Sequence, residues 1–107
     1  MASGTIAVDP STPPQLGQPL NFIVTTSGLH GNESPRVQVA AYQSDVLVYM
    51  EARAVSELPL NPLGGAGSDW QRAGGPAHCV ATLYYWDFHP SQTFVPLATV
   101  EFDAAGA

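Results

Sequence analysis

Residues 77–88, AHCVATLYYWDF, decide the fold because they form the longest run of strand-forming residues in the chain. Alternation at a period of two divides them between two faces. One face has Cys79, Ala81, Leu83 and Tyr85, and the other has His78, Val80, Thr82, Tyr84 and Trp86. Neither face is polar, whereas a strand on a half-solvated sheet alternates between apolar and polar side chains. We therefore expect a central strand whose second face is covered by a loop or by another protein.

The rest of the chain predicts further short strands that are separated by turn signals. The candidates are residues 5–8, 20–26, 36–43, 46–55, a very short strand at 70–72, and 94–103. Residues 50–54 are also compatible with a helical turn, since they are good helix formers. Pro96 cannot donate a ladder hydrogen bond, so the last strand should lie at an edge or be bulged there. Along it, Phe94 should share a face with Ala98, Val100 and Phe102.

Residues 56–69 hold two prolines and three glycines and predict a long loop, a kind of segment that is often functional. The whole pattern, about seven short strands with almost no helix, indicates an all-β antiparallel sandwich. The 107 residues form a single domain, 1–107. Since Cys79 is the single cysteine, no intrachain disulfide can form.

The charge composition excludes several partners. The chain has three arginines, no lysine and nine acidic residues, which give a formal net charge of −6. Nucleic acids and anionic membranes attract clustered basic residues, so neither is an expected partner. Charged residues are 11% of the chain, against about 25% in ordinary domains. Such a low fraction is expected for a protein whose surface is largely covered by neighbouring subunits, or for one encoded by a high-GC genome. Without a signal-like or membrane-spanning run, we expect folding in a cytoplasm.

The sequence contains no pattern that is typical of catalysis or of a cofactor. Asp87 and His89 lie at a strand end, but His30, His78 and Asp69 stand at no recognised ligand spacing, so we expect neither a metal nor a catalytic site. Cys79 lies among apolar residues without basic activators and should be inert. The glycine cluster 64–67 lacks the lysine and helix of a phosphate loop. We expect a protein that is not an enzyme.

The aromatic residues are the candidate interface. Trp and Tyr are enriched at binding hot spots. The predicted contact residues are therefore three side chains from the second face of the central strand and two further aromatic side chains. They are Tyr84, Trp86, Val80, Phe88 and Trp70. Core filling is the alternative, and stacking on a sugar is another.

Three stretches resemble an immunoglobulin-like domain. LGQPLNFIVTT (16–26) resembles the entry to the second strand, GGPAHCVATLYYW (74–86) the sixth strand, and VPLATVEFDA (95–104) the closing strand. Cys79 would stand at the second disulfide position, but residues 22–24 offer no cysteine to pair with it. The resemblance implies an immunoglobulin-like sandwich without its disulfide.

The composition and size resemble small immunoglobulin-like virion proteins of tailed bacteriophages that infect high-GC bacteria. This resemblance implies a non-enzymatic capsid decoration subunit, made in the host cytoplasm and located in the virion. Its partners would be shell or tail subunits and further copies of itself. The alternative is a tail- or fibre-associated module that binds a host-surface glycan through Tyr84, Trp86 and the loop 56–69.

Overall fold

The computed structural model describes residues 2–31, 33–87 and 92–106, and it is an all-β sandwich of two antiparallel sheets. The smaller sheet pairs β1 (Ser3–Val8) with β2 (Phe22–Ser27). The larger sheet has the order β4-β3-β5-β6, formed by β3 (Arg36–Gln43), β4 (Val46–Ala54), β5 (Ala77–Asp87) and β6 (Thr93–Ala104). The predicted fold class is confirmed, with six strands among the described residues instead of about seven. β5 lies between β3 and β6, as expected for a central strand.

The core lies between the two sheets. On one face of the larger sheet, the two central strands β3 and β5 contribute six fully buried side chains: Val37, Val39, Ala41, Cys79, Ala81 and Leu83. The side chains of Ile6, Val8 and Val24 from the smaller sheet pack against it. A Cβ atom on Gly4 would lie 2.7 Å from Leu83 Cδ2, so the sheets approach closely at this point. The Cys79, Ala81 and Leu83 face of β5 is therefore a core face, as its alternation predicted.

One prediction about local structure is wrong, and an alternative left open for another segment is not observed. Residues 70–72 are not a strand; they lie in the short helix α1 (Asp69–Ala73), which begins where the Ser68 hydroxyl accepts a hydrogen bond from Gln71 N. Residues 50–54 are not helical, because β4 stays paired with β3 as far as the Ala54–Arg36 pair. Sheet pairing there overrides helix propensity.

The long segment 56–69 is packed against the body of the domain. Leu60 N donates to Leu20 O at 2.8 Å and Leu63 N donates to Gln18 O at 3.0 Å. Leu60 and Leu63 are 2% and 1% exposed. The segment joins β4 to α1 and β5 in the chain, and its Leu60 and Leu63 belong to the core cluster.

Two local features of the larger sheet, the turn between β3 and β4 and the bulge in β6, follow from the residues at those positions. Ser44 and Asp45 join β3 to β4 with φ of 51° and 64°, the pair of positive values that a type I′ turn requires. β6 is an edge strand, and its register with β5 shifts where Leu83 pairs with Ala98 and Tyr84 pairs with Pro96. Pro96 thus lies both at an edge and beside a bulge, as predicted.

The helices in the described part of the chain are too short and too polar to cross a membrane.

Candidate functional site

The larger sheet has a second face, which we call the open face, on the side away from the smaller sheet. Its side chains alternate with the core residues and pair across the strands. The open face comprises Arg36, Gln38, Ala40, Tyr42, Leu47, Met50, Ala52, His78, Val80, Thr82, Tyr84, Trp86, Phe94, Pro96, Thr99, Glu101 and Asp103. Met50 is 56% exposed and Phe94 is 40% exposed, so the open face presents large apolar side chains to solvent.

Three aromatic rings cluster at one end of the open face. Phe94 lies over Tyr84 with ring centroids 4.5 Å apart. Trp86 meets both rings edge to face, at 5.9 Å from Tyr84 and 5.6 Å from Phe94. Such tilted and edge-to-face pairs are the favoured geometry of aromatic rings. The three rings therefore support one another and form an apolar surface at this end of the open face.

Tyr84 is the base of this cluster. It is only 3% exposed, whereas Trp86 is half-buried and Phe94 is exposed. Arg36 Nε donates a hydrogen bond to the Tyr84 hydroxyl at 3.3 Å. This contact satisfies the phenol and places one positive charge at the aromatic end of the face. Trp86 and Phe94 are the rings that a partner can touch.

The opposite end of the open face is acidic. The His78 ring lies between two carboxylates, with Nδ1 3.0 Å from Asp103 Oδ1 and Nε2 2.8 Å from Glu101 Oε1. The hydrogen bond with Asp103, followed by the one with Glu101, raises the pKa of His78 above its usual value. The ring and both carboxylates are exposed. This end therefore presents negative charge that His78 offsets in part.

The structure places the predicted contact residues in different environments. Tyr84, Trp86 and Val80 share the open face, and Phe88 lies outside the described residues. The prediction for Trp70 is wrong, because its side chain is 0% exposed. The helix α1 turns the indole into the core, where it packs 6.2 Å from the Tyr49 ring and donates from Nε1 to Gly75 O at 2.9 Å. No partner can reach it in the folded domain.

Phe94 and Met50 are contact candidates that the alternation of their strands does not identify. Phe94 was expected beside Ala98 and Val100, but the bulge at Leu97 changes the alternation of β6 and moves Phe94 to the other face. Leu97 packs against the core instead. Pro96 was the sequence signal for this change, because it marks a break in the hydrogen-bond ladder of the strand. It does not show which of the flanking residues changes face.

The remaining candidates for a reactive site are Cys79, Asp69 and His89. Burial, with a smaller contribution from Asp103, raises the pKa of the Cys79 thiol to about 11, so the thiolate is scarce at neutral pH. Asp69 forms an ion pair with Arg72. Across the described residues, no three His, Cys, Asp or Glu side chains are grouped as a metal site. His89 lies outside those residues.

Leu60 and Leu63 of the loop 56–69 belong to the core cluster, whereas Trp86 belongs to the open face on the other side of the larger sheet. These two leucines therefore cannot share a binding site with Trp86. The glycan site that combines the loop with Trp86 stays a prediction. Within the glycine cluster 64–67 only Gly64 is buried, and a Cβ there would collide with Leu16 Cδ1, whereas Gly65, Ala66 and Gly67 are exposed.

No family model, curated protein or solved structure matches this chain. Its function has to be argued from the open face, which combines an aromatic end, a small and uncharged centre, and an acidic end.

Proposed function

We propose that this domain is a non-enzymatic structural protein of a tailed-phage virion, acting as a capsid decoration subunit that binds protein through its open face. The observation that carries the binding part is the pair of solvent-accessible rings of Trp86 and Phe94, which pack on Tyr84. Aromatic anchors of this kind supply most of the binding free energy at protein interfaces.

The shape of the surface favours a protein over a small ligand. The open face is an extended sheet surface, whereas small-molecule sites are concave and enclose their ligand. Its centre is formed by Ala40, Ala52, Val80 and Thr82, which would let another flat surface approach closely. The partner must present a flat surface of similar extent.

The virion part of the proposal rests on the resemblance in composition. The chain has no lysine and only 11% charged residues, so much of its surface suits burial against neighbouring subunits. A bound decoration subunit stabilises the assembled shell by its binding free energy, without any chemical step. Fold alone does not assign this role, so the test has to be made on particles.

The test is binding to particles of the encoding phage from which this gene has been deleted. We expect the purified domain to sediment with those particles at a fixed copy number. Phe94→Glu should abolish co-sedimentation, because a carboxylate would be buried against an apolar partner. Ile23→Glu is the matched control, since Ile23 is 54% exposed and lies on the smaller sheet.

Wild-type protein that never co-sediments with these particles would contradict the proposal. If binding instead occurs only on a glycan array and is lost in Trp86→Ala, the domain is the host-binding module of the alternative hypothesis. Equal loss in both glutamate variants would mean that the open face is not the docking surface.

A further inference from the structure

We propose that the occupant of the open face is a second copy of this chain, related by a two-fold axis that turns it end for end. This inference rests on the proposed function, because it names a neighbouring decoration subunit on the same particle as the protein that the open face binds. Two observations carry it: the extent of the face and the arrangement of its charges.

The extent of the face reaches the size of a specific interface. Strands are about 4.8 Å apart and residues along them about 3.3 Å, so four strands along β5 from His78 to Trp86 cover roughly 500 Å². Two copies would together bury roughly 1,000 Å² or more, and a specific interface begins at about that area. The sheets would pack face to face, which adds a third layer to the sandwich.

The charges of the face are self-complementary. Arg36 is at the aromatic end, next to Tyr84, whereas Glu101 and Asp103 are at the other end, next to His78. A copy turned end for end directs the Arg36 end of each chain toward the acidic end of the other. A copy in the same orientation would instead bring the two acidic ends together. The turned arrangement therefore brings opposite charges toward each other at both ends, as a two-fold interface requires, and it places Trp86 and Phe94 of each chain near the His78 end of the other.

The centre of the face permits close approach. The row across the middle of the sheet consists of Ala52, Gln38, Thr82 and Thr99, none of which is charged. No desolvated ion would remain unpaired at the centre of such a dimer. The protein has a net charge of −6, so two copies attract each other best through a region with few carboxylates.

The experiment is sedimentation-equilibrium analysis from about 1 μM to about 1 mM protein, a range that detects dissociation constants typical of small interfaces. We expect a reversible dimer. Phe94→Glu and Met50→Glu should each weaken it at least about tenfold, and Ile23→Glu should leave it unchanged. Circular dichroism and the thermal midpoint show whether each variant is folded. Two open-face variants are used so that misfolding of one leaves the other informative.

A charge exchange tests the orientation. Arg36→Glu makes both ends of the face negative, and Glu101→Arg makes the acidic end more positive. Each variant alone should dimerise more weakly than the wild type. A one-to-one mixture should dimerise more tightly than either variant, because each positive end then meets a negative one. A mixture no tighter than its components would overturn the end-for-end arrangement.

A wild-type chain that stays monomeric over this range overturns the inference, and so does a dimer that only Ile23→Glu disrupts. These outcomes are separate from those of the proposed function. A monomer that binds particles through Phe94 overturns the self-pairing alone. A dimer with the expected variant pattern that ignores particles supports the self-pairing and contradicts the decoration role.

Discussion

Tyr84 and Phe94 stack across neighbouring strands with ring centroids 4.5 Å apart, and the exposed Phe94 ring shields a tyrosine that is only 3% exposed. The pair shows how the open face is built: one aromatic ring supports another that faces solvent. The arrangement depends on the bulge at Leu97, which brings Phe94 to this side of β6.

Phe94→Ala should therefore cost the isolated domain about 1 kcal/mol in unfolding free energy, well below the cost at a buried phenylalanine. The ring is partly exposed, so its removal leaves no cavity. Urea denaturation measures the change. A loss above about 3 kcal/mol would show that Phe94 belongs to the core and not to a contact surface.

Trp70→Ala should destabilise the domain by about 3–5 kcal/mol, because its fully buried indole leaves a cavity beside Tyr49. Trp86→Ala is the matched control, since the same deletion at a half-buried ring should cost about 1–2 kcal/mol. Urea midpoints of the two variants give the comparison. Equal losses would contradict the different burial of the two tryptophans.

Gly64→Ala should destabilise the domain more than Gly67→Ala does. Both glycines have positive φ, of 85° and 84°, so each substitution adds backbone strain of about 1 kcal/mol. A Cβ at Gly64 also meets Leu16 Cδ1, whereas one at Gly67 meets nothing within 4 Å. Thermal unfolding of both variants separates the steric cost from the strain. Equal shifts would mean that Leu16 moves aside freely.

The His78 cluster should make folding stability depend on pH near neutrality. The pKa of His78 is raised in the folded state, so its contribution is fully present below the unfolded pKa of about 6.5. That contribution is lost as the pH rises through the folded pKa. NMR titration of the ring should show the raised value in the wild type and a lower one in a Glu101→Gln, Asp103→Asn variant. An unchanged pKa in that variant would contradict the assigned cause.

The Cys79 thiol should resist a disulfide reagent at pH 8 in the native protein. It is 0% exposed, and its pKa is raised to about 11, chiefly by burial. Labelling should become fast in urea, once unfolding exposes the thiol. The rate is followed by release of the coloured thiolate. Fast labelling of folded protein would contradict the packing of β5 in the core.

The sequence by itself determined the character of β5. Its alternation, which depends only on strand geometry, assigned Cys79, Ala81 and Leu83 to one face and Val80, Tyr84 and Trp86 to the other. The single cysteine excluded a disulfide, and Pro96 predicted the edge and the bulge. Each of these signals is local, so it can be interpreted without knowledge of the rest of the fold.

Only the tertiary structure decided where the other aromatic residues lie and what the long segment does. Trp70 is buried because the segment 56–69 forms hydrogen bonds with residues 18–20, a pairing between distant parts of the chain. Phe94 faces solvent because a register shift between two strands moves it there. Such pairings depend on how distant strands and loops pack, and local propensity does not encode them. The extent of the open face around β5 is defined only by how these neighbouring strands and loops pack.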